Sequence, residues 1–63
     1  MEYYRLYFMD ERTSHVTRFL ELVAPTDADA LTQAEEYRGH MAMELWCGRT
    51  KVKHWPASFA TTD

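Results

Sequence analysis

The chain has 63 residues, 46% of them apolar and 27% charged, with a formal net charge of −3. A chain this short is a single domain that buries only about 60% of the surface its unfolded form exposes, so its core is small and its stability reserve thin. The composition is that of a folded domain, and the negative charge counts against nonspecific attraction to nucleic acid or anionic membrane. The lone Cys47 excludes an internal disulfide.

No charged-then-apolar leader follows Met1, and no apolar run approaches the ~18 residues that span a bilayer. The expectation is a cytoplasmic protein with no membrane association.

The first element is an aromatic strand in which Tyr4, Leu6 and Phe8 alternate with Tyr3, Arg5, Tyr7 and Met9, giving one fully apolar face. Asp10-Glu11-Arg12-Thr13-Ser14 is a polar hairpin loop, after which His15 to Val23 resumes a β-branched and aromatic pattern. Val16, Leu20 and Leu22 share a parity with Arg18, while Phe19 and Val23 fall on the other, which predicts a bulge near Arg18 or Phe19. The two strands form an antiparallel hairpin.

Pro25 ends the second strand, and Thr26 followed by Asp29 is a capping-box variant that opens a helix. Ala30, Leu31, Ala34, Tyr37 and Met41 recur at helical spacing, predicting an amphipathic helix of about three turns with these residues on its core side. Gly39 is placed to take a left-handed conformation at its end, with Arg38 and His40 suiting the macrodipole. From Ala42 the strand pattern returns as Met43-Glu44-Leu45-Trp46-Cys47, and Gly48 marks a tight turn before a short strand, Lys51 to Trp55. Pro56 halts pairing, which closes a single domain at residues 1–56 and leaves residues 57–63 as a flexible tail.

The predicted fold class is therefore α+β, with element order ββαββ and a small, mainly antiparallel sheet. The handedness of crossover connections favours the strand order 2-1-3-4, which puts the most aromatic strand at the centre and one helix over one face.

The strings Tyr4-Arg5-Leu6-Tyr7-Phe8-Met9-Asp10, Asp27-Ala28-Asp29-Ala30-Leu31 and Met43-Glu44-Leu45-Trp46-Cys47-Gly48 resemble a group of small uncharacterised bacterial hypothetical proteins. The resemblance runs nearly to Trp55 and implies a shared fold. It implies no catalytic residues, and this chain departs from the group at Pro25-Thr26 and in its longer tail.

No enzymatic constellation emerges from the residues. His15, His40, Cys47 and His54 match no metal-ligand spacing, so no metal or other cofactor is expected and the histidines read as exposed titratable groups. Cys47 reads as a strand cysteine before a turn, since a nucleophile needs an oriented base and a dry pocket. Glu35 and Glu36 project about 100° apart on a helix and cannot act as a paired acid and base.

What remains is the face of the sheet that one helix leaves uncovered. It is expected to show Tyr3, Arg5, Tyr7, Glu44 and Trp46, with Lys51, Lys53 and Trp55 beside them. Aromatics with Arg are the residue types of binding hot spots, and burying about 400 Å² of such a patch would contribute roughly 10 kcal/mol before association costs. The leading expectation is a non-enzymatic module that forms a homodimer or binds a protein partner through this face. The alternative is a nucleic-acid-binding regulator that uses the same aromatics together with Arg49, Lys51, Lys53 and Trp55. Folding of the tail, with Phe59, over this face is the structural alternative to both.

Overall fold

The computed structural model describes residues 1–10 and 12–57. The strands are β1 (Glu2–Asp10), β2 (His15–Ala24), β3 (Ala42–Cys47) and β4 (Thr50–Trp55), with one helix, α1 (Asp27–Glu35), between β2 and β3. They form a four-stranded sheet of order β2-β1-β3-β4 in which every neighbouring pair is antiparallel. The α+β class, the element order and the central position of β1 are as the sequence predicts. The expected tail beyond Ala57, with Phe59, lies outside the described residues.

Both hairpins follow from local chemistry. Asp10 closes the first loop by accepting from the amides of Thr13 and Ser14 through its carbonyl and from Arg12 N through Oδ1, and Ser14 takes a φ of 61°. The second is a two-residue turn between Cys47 and Thr50, in which Gly48 alone has positive φ (61°), the pattern of a type II′ turn.

Each outer strand carries one bulge. In β2 the pairing slips between Phe8↔Arg18 and Met9↔Val16, which makes Thr17 the extra residue; its hydroxyl donates to Phe8 O at 3.1 Å. In β4 the slip between Leu45↔Lys53 and Trp46↔Lys51 makes Val52 the extra residue. Each bulge reverses the facing of everything beyond it.

The core lies between α1 and one face of the sheet. Tyr4, Leu6 and Phe8 from β1, Leu22 and Ala24 from β2, Met43 and Leu45 from β3 and Trp55 from β4 meet Ala30 and Ala34 of the helix. Two alanines on the buried stripe let the helix backbone come close to the sheet. Thr26 caps the helix as expected, its Oγ1 accepting from Asp29 N at 3.2 Å. Both ends of α1 are fastened to the sheet by aromatic donors. Tyr4 Oη donates to Asp27 Oδ1 at 2.6 Å, and Trp55 Nε1 donates to Glu35 Oε2 at 2.8 Å. The first of these bonds, aided by burial, pushes the Tyr4 phenol well above its ordinary pKa.

The helix is shorter than the sequence pattern suggests. It stops at Glu35, and i→i−3 bonds carry the chain through Tyr37 and Arg38, so Arg38 and His40 lie beyond the last turn. Gly39 does not adopt the left-handed conformation, and Tyr37 and Met41 are exposed. Trp55 is buried in the core and donates to Glu35, the last residue of the helix.

Candidate functional site: the uncovered sheet face

With α1 on one side, the odd-numbered residues of β1 face away from the helix. Cross-strand pairing then settles their neighbours: Tyr3 faces Val23, Arg5 faces Glu21 and Trp46, Tyr7 faces Phe19 and Glu44, and Met9 faces Val16. The five residues expected on this face, Tyr3, Arg5, Tyr7, Glu44 and Trp46, are all brought together on it.

The face divides into two halves. On the β1–β2 half, Tyr3 is 77% exposed and Phe19 48%, and Val16 and Val23 are also exposed. The Tyr7 and Phe19 rings meet in a tilted contact with centroids 6.0 Å apart. The Arg5 guanidinium lies 4.8 Å from the Phe19 centroid while its Nη2 reaches Glu21 Oε2 at 3.2 Å. Tyr3, Arg5, Tyr7, Glu21 and Trp46 line a shallow groove of about 470 Å³.

On the β3–β4 half the surface is closed by its own polar network. Trp46 Nε1 donates to Glu44 Oε1 at 3.0 Å, Lys51 Nζ reaches Oε2 at 3.4 Å, and His54 Nδ1 lies 3.1 Å from Oε2. Lys51 also sits 5.9 Å from the Trp46 ring centroid, and the Glu44 side chain is left only 18% exposed. Burial by itself pushes the Glu44 carboxyl up, but the hydrogen bonds from Trp46, Lys51 and His54 and the Lys51 charge outweigh it and hold the pKa below its ordinary value.

Two residues expected beside this face lie on the other. Trp55 is 2% exposed within the helix-side core, and Lys53 pairs with Leu45 and reaches Glu35 across that same side. The Val52 bulge is the reason, because it turns Lys53 and Trp55 to the face opposite Lys51 and brings His54 to the open one. Arg49 stands at the exposed tip of the β3–β4 turn. Arg49, Lys51, Lys53 and Trp55 therefore do not converge into one basic, aromatic surface.

Phe19, Glu21, Val16, Val23 and His54 belong to the open face and were missed as site residues. The alternation that sets Phe19 and Val23 apart from Leu20 and Leu22 was a usable signal for two of them. Placing Val16 requires the Thr17 bulge, and placing His54 requires the one at Val52.

Among the described residues no group of three or more His, Cys, Asp or Glu side chains could hold a metal ion. Cys47 is half-buried, and burial, with Glu2 and Asp27 nearby, raises its thiol pKa. Among the same residues no helix is long and apolar enough to cross a membrane. Comparison with protein-family models, curated proteins and solved structures gives no match to this chain.

Proposed function

We propose that the chain is a non-enzymatic protein-interaction module that self-associates through its uncovered sheet face. The observation that carries this reading is the bare half of the face, where Tyr3, Tyr7, Phe19, Val16 and Val23 gather beside Arg5. Such a patch is costly to leave in water and is rich in the side chains that anchor interfaces.

Charge favours a second copy over other occupants. The whole chain is net −3, yet this face sets Arg5 and Lys51 against Glu21 and Glu44. A two-fold arrangement can place these groups against their opposites without accumulating one sign. The same balance disfavours nucleic acid, as does the division of the basic residues between two faces, with Lys51 already engaged by Glu44.

Light scattering over a concentration series tests the proposal, with Tyr3→Ala as the probe because Tyr3 is exposed and its loss spares the core. The expected result is a mass that rises with concentration and an association weakened by ~10-fold or more in the variant, as for an interface anchor. A strictly monomeric wild type overturns the reading. Salt-sensitive binding of a single-stranded oligonucleotide by that monomer would establish the nucleic-acid alternative instead.

A further inference from the structure

The two edges of the sheet are built differently. β4 is six residues long, is broken by the Val52 bulge and carries Lys51 and Lys53, the devices that keep an edge from pairing. β2 is ten residues long and contains no lysine or proline, and it pairs with β1 in unbroken register from Arg18 to Ala24. Phe19, Val16 and Val23 make it the strand with the most exposed large apolar side chains.

The direction of the β2 backbone groups follows from two hydrogen bonds. Phe8 O accepts from the Thr17 hydroxyl, so the even residues of β1 address β2; Val23 O accepts from Gln33 Nε2 of the helix, so it points away from β1. Because amide and carbonyl groups in an antiparallel strand alternate sides residue by residue, those of Phe19 and Glu21 also point outward. Gln33 closes this outward row at one end, and the Thr17 bulge closes it at the other. What stays open is the stretch Arg18 to Leu22, whose midpoint is Leu20.

We propose that this stretch is a strand-pairing site for a second copy of the chain, with β2 antiparallel to the partner's β2 about a two-fold axis at Leu20. In that register Phe19 stands opposite Glu21 of the other copy, and each such pair exchanges N–H and C=O bonds in both directions. An axis at Glu21 would set two like charges opposite each other, and one at Phe19 would run the pairing into the bulge. The Leu20 register alone uses every outward group and avoids both. The result is one continuous sheet with both helices on one side and both aromatic faces, still uncovered, on the other. The edge contact is thus separate from the proposed docking of the face and compatible with it.

The test compares Glu21→Pro with Glu21→Ala. Proline removes an outward N–H that has no role within the monomer fold, a position where edge strands accept it, while alanine removes the same side chain and its bond to Arg5 but keeps the N–H. Association is measured by sedimentation up to about 1 mM, because an edge contact of this size is small. Folding of each variant is checked by circular dichroism.

Glu21→Pro is expected to weaken association by about tenfold or more relative to Glu21→Ala, the effect of losing one hydrogen bond per copy, because the loss of the Glu21 charge from the open face is common to both variants. In the wild type the Phe19 and Glu21 amides should also exchange with solvent more slowly as concentration rises. Equal behaviour of the two variants, or exchange at these amides that is independent of concentration, overturns the proposal. Loss of association in Tyr3→Ala with no difference between Glu21→Pro and Glu21→Ala assigns self-association to the face alone, and no loss in Tyr3→Ala with a clear difference between the two Glu21 variants assigns it to the edge.

Discussion

The β3–β4 hairpin carries a tryptophan on each side, and each tryptophan sits in the same trio of groups. Trp55 Nε1 donates to Glu35, and Lys53 lies against both the ring and that carboxylate, at 5.1 Å and 3.8 Å. Trp46 Nε1 donates to Glu44, and Lys51 lies against both in the same way, at 5.9 Å and 3.4 Å. The chemistry is shared and the connectivity is not. Glu35 belongs to α1, so the first trio ties helix to sheet, whereas every member of the second belongs to the hairpin itself. One trio closes a tertiary gap. The other covers its own corner of an open face and leaves the rest bare.

The strongest way to break this contrast is to truncate each tryptophan. Trp55→Ala empties a buried site and frees Glu35, and should cost about 3–5 kcal/mol, a large part of the stability of so small a domain. Urea titration followed by circular dichroism should show a chain largely unfolded without denaturant. Trp46→Ala removes a half-exposed ring with no helix above it and should cost roughly 1 kcal/mol with the fold intact. Equal losses in the two variants would show that the trios do the same work.

How much of this was legible in the sequence depends on strand parity. Parity alone places Tyr4, Leu6 and Phe8 under the helix and Tyr3, Arg5 and Tyr7 away from it, because β1 contains no bulge of its own. On β3 it likewise separates Leu45 from Glu44 and Trp46. On β4 it fails, since Lys51, Lys53 and Trp55 share a parity in the sequence and are divided between faces by one extra residue at Val52. A valine in a strand gives no sign that it is the unpaired one. On β2 the mixed parity of the apolar residues did announce a bulge, near Arg18 or Phe19; the extra residue is Thr17, which turns Val16 to the face of Phe19 and Val23 and leaves Leu20 and Leu22 on the other, whereas at β4 the lysines offered no such conflict. The early end of the helix was hidden as well, since Tyr37 continues the helical spacing of Ala30 and Ala34 and is nevertheless exposed.

The hairpin turn supports both trios at once, which sharpens the contrast from a different side. Gly48 has a φ of 61°, where a Cβ is disfavoured, although nothing lies within 4 Å of the site an added Cβ would occupy. Gly48→Ala should therefore cost about 1–2 kcal/mol through backbone strain alone. Thermal unfolding would measure the loss. Trp46 fluorescence should shift with it, because Trp46 is the nearer of the two to the turn.

The smallest expected effect isolates the open-face trio by its charge. Glu44→Gln keeps the size of the side chain and removes the anion that Lys51 and His54 address, and at neutral pH it should cost about 1 kcal/mol or less, as partly exposed ion pairs do. Its pH dependence carries more information than its size. The folded-state pKa of Glu44 lies below its ordinary 4.5, so the contribution of the carboxylate is complete above that ordinary value and is lost as pH falls through the folded one. The stability gap between wild type and Glu44→Gln should accordingly be constant from neutral pH down to the ordinary glutamate range and close on further acidification. Chemical denaturation at a series of pH values would show it. A gap that widens in acid would mean that burial outweighs the three donors, and the second trio would then be a strained site rather than a satisfied one.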